Sequence, residues 1–104
     1  MVVTRGEIWW GETPQDKGRP YLVVSRDAAN AVMRRALVAP ITSRIRGAPS
    51  ELAVGASEGL PIDAVANFDN LQPISKALLV RRLGALSPRR LPELCATVNA
   101  TLDC

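Results

Sequence analysis

Arg19, held between Gly18 and Pro20, stands out for the chemistry it could do, and Thr42 ends the nearby run Ala36-Leu37-Val38-Ala39-Pro40-Ile41-Thr42. A guanidinium is charged at neutral pH and presents a planar fork of N–H donors that matches phosphate or carboxylate oxygens. A threonine hydroxyl can hold one such oxygen, although at a strand end it more often serves a turn. Pro20 biases Arg19 towards extended backbone, and Gly18 is expected to let the preceding loop bend tightly. Two carboxylates, Glu12 and Asp16, precede Arg19, and Asp16, the nearer, is the first candidate for a general base. Each also reads as an ordinary solvated loop charge. Lys17, Ser43, Arg44 and Arg46 flank the same two motifs and either hold anionic oxygens or simply face solvent.

What is missing narrows the chemistry further. The chain has no histidine, so a mechanism built on two imidazoles is excluded. Arginine is not deprotonated in proteins, so Arg19 cannot itself take a proton. The ten carboxylates are scattered without the spacing of a metal-ligand set, and no metal site is expected. There is no glycine-rich phosphate loop, nucleophile elbow or dinucleotide fingerprint.

The elements that must position these residues are short. RGEIWW (5–10) reads as a half-buried strand with its tryptophans on opposite faces, followed by a polar loop, GETPQDKGR (11–19). YLVVS (21–25) is a nearly continuous apolar strand, and ALVAPIT (36–42) is its expected neighbour. Between them RDAANAVMRR (26–35) suits about two turns of helix, with Asp27 as N-cap. A basic loop (42–50) leads to strands at 50–54 and 63–71, and KALLVRRLGAL (76–86) gives a turn and a closing strand. Ser87 and Pro88 then open a helix in which Leu91, Leu94, Val98 and Leu102 share a face. Pro92 predicts a 3₁₀ or kinked first turn. The fold class expected is mainly β with a C-terminal helix (α+β), as a small, strongly bent barrel, in one domain spanning 1–104.

Of thirteen basic residues, eleven are arginine, and the net charge is +3. The excess fits a nucleic-acid or acidic protein partner, or only an arginine-rich surface. No apolar run is long enough for a membrane span, and the N-terminus lacks a signal-peptide layout, so no membrane or export is expected. Cys95 and Cys104 fall on opposite helix faces and read as a core thiol and a frayed terminal thiol, in keeping with a reducing cytoplasm. Trp9, Trp10, Tyr21 and Phe68 are expected in the core or an interface rather than as base-stacking platforms.

Four stretches in order, RGEIWW (5–10), GRPYLVVS (18–25), VAPITSR (38–44) and FDNLQPISK (68–76) with RRLGALSP (81–88), resemble the MazF/PemK family of bacterial toxins over essentially the whole chain. The resemblance implies an SH3-like β-barrel that forms a homodimer in the cytoplasm. It implies a sequence-selective, metal-independent endoribonuclease without cofactor, acting on single-stranded RNA and restrained by an acidic, MazE-like antitoxin. By motif the family's catalytic pair falls on Arg19 and Thr42. The ribose 2′-hydroxyl would attack phosphorus, leaving a 2′,3′-cyclic phosphate and a 5′-hydroxyl, while fixed cations stabilise the phosphoryl charge. The chain departs from the family in a shortened first loop, which leaves no secure counterpart of the usual glutamate. It departs again at Asp69-Asn70-Leu71-Gln72, where Asn70 and Gln72 replace a common glutamine and arginine and point to an altered target sequence. Two other readings stay open: a gyrase-inhibitor-like toxin that targets protein on the same fold, and a non-catalytic RNA-binding barrel.

Overall fold

The computed structural model describes residues 2–103, so Cys104 lies outside the described residues. Seven strands, β1 (Glu7–Gly11), β2 (Arg19–Val23), β3 (Arg35–Thr42), β4 (Glu51–Val54), β5 (Ala64–Asn67), β6 (Gln72–Ser75) and β7 (Leu79–Ala85), form one antiparallel sheet. Its order is β4-β5-β3-β2-β1-β7, with β6 also paired to β3. Two helices complete it, α1 (Asp27–Val32) and α2 (Leu91–Leu102).

β3 organises the sheet because it is long enough to serve three partners. Val38–Pro40 pair with β2, Arg35–Val38 with β6, and Ile41 and Thr42 with β5. Residues 68–70 make a single 3₁₀ turn that carries the chain from β5 to β6 along one edge of β3. The expected strand over 63–71 is therefore a four-residue strand and a turn, and β6 was missed. Pro73 hid it, since proline demotes a strand by removing a ladder donor.

β2 and β3 are buried on both faces, which is why they read as continuous apolar runs rather than alternating ones. Leu22, Val24, Ala39 and Ile41 enter the larger core with Phe68, Leu52 and Leu94. Tyr21, Val23, Ala36 and Val38 point the other way, with Ile74, Leu79 and Trp9. Helix α2 covers the larger core through Leu94 and Val98, while Leu102 is 66 % exposed and outside the face assigned to it, and Cys95, expected in the core, is exposed. The 3₁₀ turn expected near Pro92 lies just before α2, at Pro88–Arg90, and Pro92 sits in the helix's first turn.

The bent sheet does not close by strand pairing. Instead Gly59, with φ +92°, meets Gly84 of β7 backbone to backbone, where any side chain would collide with the Leu83 or Glu58 carbonyl. Two expected caps also differ. Asp27 is the first helical residue, not the N-cap, and its carboxylate accepts from the Arg5 N–H at 2.6 Å. Ser87 makes no side-chain capping bond, and its carbonyl accepts from the Arg90 N–H instead.

Candidate active site

The β2–β3 ladder ends at the pair Tyr21 and Pro40, and two residues further along each strand stand Arg19 and Thr42, on the strand faces that Tyr21 and Pro40 share. Both line a depression of about 140 Å³, together with Pro40, Arg44, Arg46, Glu51, Asn67 and Asn70. A second, wider hollow of about 550 Å³ adjoins it, sharing Arg19, Pro40 and Asn70 and adding Thr13, Asp16, Asp69 and Gln72. Arg19 thus stands where a basic pocket meets an amide- and acid-lined one, in a single groove.

Asp16 grips Arg19 directly. Its Oδ2 accepts from the Arg19 Nε, and its Oδ1 accepts from the Gly18 N–H at 3.3 Å. The loop places the carboxylate there through a reciprocal turn: the Asp16 N–H donates to the Thr13 hydroxyl, and the Thr13 N–H donates to the Asp16 carbonyl. The Gly18 N–H and then the Arg19 guanidinium hold the Asp16 carboxyl below the usual carboxylate range. That leaves Asp16 a weak proton acceptor but a firm anchor. With Nε engaged, the terminal N–H groups of Arg19 remain to take phosphate oxygens. Gly18 serves this loop differently from expectation. It has no positive φ; it lies flat on the Trp10 indole, where a Cβ would clash.

Thr42 is oriented in the same manner. Its hydroxyl oxygen accepts from the Arg44 N–H at 3.1 Å, so its own O–H can be donated into the pocket. Tyr21 lies under the groove, its phenol pushed up by burial first and then by the Asp16 charge.

The other expected site residues divide. Arg44, Arg46, Asn70 and Gln72 line the groove. Glu12 and Lys17 are exposed and line neither hollow, and Ser43 faces a separate apolar cleft with Trp10, Pro20, Leu60 and Ile62. Glu51 and Asn67 were not singled out from sequence, nor were Thr13 and Asp69. A lone glutamate opening an apolar strand carries no local signal. Arg90 ties α2 to the sheet: it pairs with Glu58 and Glu93 and donates to the Ala53 carbonyl. Among the described residues no three His, Cys, Asp or Glu side chains converge as a metal site.

The bent antiparallel sheet thus brings an arginine and a threonine from adjacent strands to one depression. Residues 4–102 match the family of PemK-like, MazF-like toxins of type II toxin–antitoxin systems, and the chain belongs to that family. It is 43% identical over 101 residues to the probable endoribonuclease MazF5 of Mycobacterium tuberculosis, covering 96% of this chain and 93% of that protein. Its fold is similar to the Mycobacterium tuberculosis toxin MazF-mt6, with a TM-score of 0.85, 32% identity, and 93% and 96% of the two chains covered. It is also similar to a MazE–MazF structure from Deinococcus radiodurans, with a TM-score of 0.78, 25% identity, and 98% and 96% covered.

Proposed function

We propose that this chain is the toxin of a toxin–antitoxin pair and acts as a sequence-selective endoribonuclease on single-stranded RNA, with Arg19 and Thr42 as its catalytic pair. The observation that carries this reading is their placement on one face of adjacent strands, in a pocket whose other charged donors are Arg44 and Arg46. The ribose 2′-oxygen attacks phosphorus as its proton passes to solvent water, and the bond to the 5′-oxygen breaks as that oxygen takes a proton from water, giving a 2′,3′-cyclic phosphate and a 5′-hydroxyl. Negative charge builds on the phosphoryl oxygens, and donors fixed before the reaction stabilise it without reorganisation. The terminal N–H groups of Arg19 and the hydroxyl of Thr42 are such donors. Asp16 orients Arg19, and its depressed basicity favours that role over accepting the 2′-hydroxyl proton. Glu12 is the remaining carboxylate of the same loop. Asn70 and Gln72, amides on the wider side of the groove, suit recognition of base edges, and Gln72 in place of an arginine fits an altered target sequence.

The family's pattern supports a homodimer and an acidic, MazE-like antitoxin as partners, drawn to the arginine-rich face. No helix among the described residues is long and apolar enough to cross a membrane, which agrees with action in the cytoplasm, where RNA is found. The deciding experiment incubates purified protein with a mixed RNA pool and maps new 5′-hydroxyl ends. Cleavage by the wild type, lost in a folded Arg19→Ala variant, is the expected result. Cleavage by Arg19→Ala at the wild-type rate removes the reading. RNA bound with its ends unchanged favours the non-catalytic barrel.

A further inference from the structure

The two walls of the basic pocket have no strand pairing to hold them in place. One is the loop after β3 that carries Arg44 and Arg46; the other is the 3₁₀ turn that carries Asn70. Each is tied to one of two adjacent residues, Glu51 and Ser50. The Glu51 Oε1 accepts from three successive backbone N–H groups, those of Arg46 at 3.0 Å, Gly47 at 2.9 Å and Ala48 at 3.3 Å. Gly47 has φ +76°, the left-handed conformation that lets consecutive N–H groups converge on one oxygen. The Glu51 N–H in turn donates to the Ala48 carbonyl, closing the loop onto the head of β4. On the other side, the Ser50 hydroxyl donates to Asp69 Oδ2 at 2.6 Å, and its carbonyl accepts from the Phe68 N–H at 2.9 Å.

We propose that Ser50 and Glu51 are positioning residues for the groove, Glu51 fixing the wall that carries Arg44 and Arg46 and Ser50 fixing the turn that carries Asn70. This rests on the ribonuclease reading. An eight-residue loop (43–50) with two arginines would otherwise sample many conformations, and its cations would meet phosphate only part of the time. Holding the backbone at one carboxylate removes that loss before substrate arrives. The two anchors act on different contacts. Loosening Glu51 weakens sequence-independent phosphate binding, while loosening Ser50 disturbs an amide that faces bases.

The test measures KM, kcat and salt dependence for cleavage of a single-stranded RNA oligonucleotide by the full chain, Glu51→Ala, Glu51→Gln and Ser50→Ala. Glu51→Ala is expected to raise KM about tenfold with a much smaller fall in kcat. It should also reduce the slope of log(kcat/KM) against log salt by about 0.7–1.4, the signature of one or two lost phosphate contacts. Glu51→Gln, whose amide oxygen can still accept from the three N–H groups, is expected to recover most of the lost KM. Gly47→Ala, which strains the loop without touching the carboxylate, should move KM and slope in the same direction as Glu51→Ala. Ser50→Ala is expected to keep the wild-type slope and broaden the cleavage sequence. A Glu51→Ala chain with wild-type KM and slope overturns the inference while leaving the ribonuclease reading intact. So does a variant that loses kcat and thermal stability together at an unchanged slope, since that is a structural role only. A wild type that leaves RNA intact removes the functional reading itself, and this inference with it.

Discussion

At the scale of single residues, the Arg19 side chain is already half committed: Nε donates to Asp16, and only the terminal fork faces the groove. Lysine has no such fork, so Arg19→Lys should fail to restore what Arg19→Ala loses, about 10²–10³ in kcat for a fixed transition-state donor. Thr42 gives a finer test. Thr42→Ser keeps the hydroxyl and should stay near wild type, whereas Thr42→Val should lose about tenfold, the worth of one hydrogen bond to charge. Asp16 separates orienting from proton transfer. As an anchor, Asp16→Asn should lower the rate moderately and leave the pH–rate profile in place; a general base would cost about 10²–10⁴ and abolish the acidic limb. The sign of its titration agrees. Because the folded carboxyl lies below its ordinary value, the Arg19 tie is fully formed at neutral pH and is lost only as pH falls through that lowered value.

Among elements, the closing contact between residues 56–59 and β7 is the most exacting. Gly59 has both a left-handed backbone and a neighbouring carbonyl where a methyl would go. Gly59→Ala should therefore destabilise the fold by about 3 kcal/mol, read by chemical denaturation. Helix α2 is held to the sheet by two devices. Leu94 is fully buried in the main core, and Leu94→Ala should cost about 2–5 kcal/mol. Arg90 adds a bridge to Glu58 and Glu93. Its guanidinium hydrogen bonds hold the Glu93 carboxyl below the ordinary range. That contribution is present at neutral pH and disappears on acidification through the lowered value, so Arg90→Ala should flatten the acid side of a stability–pH profile. The gain is small, because Glu93 is half exposed.

For the whole molecule, the groove's cations define the expected solution behaviour. Affinity for RNA should fall steeply with salt, at about 0.7 log units per phosphate contact for each tenfold change in salt. Chelating divalent ions with EDTA should leave cleavage unchanged, since the proposed charge stabilisation comes from Arg19 and Thr42; loss of activity on chelation would remove that account.

The order and type of most elements were legible in the chain because strand runs, turn residues and the proline-opened helix are local signals. β6 and the true extent of the strand at 63–71 were not, since pairing with β3 overrides the poor strand propensity of Pro73. Arg19 and Thr42 could be chosen from sequence by their motifs, and the wish to set them side by side needed only antiparallel neighbours. The Asp16–Arg19 tie and the Glu51 hydrogen bonds span only three to five residues; the approach of Arg19 to Thr42 and the tie of the Asn70 turn to Ser50 were decided by tertiary structure alone. Those contacts join residues up to about twenty positions apart, and their geometry follows from how β3 shares itself among three strands. The sequence by itself determined which groups could do the chemistry. The packed sheet determined which of them face one another.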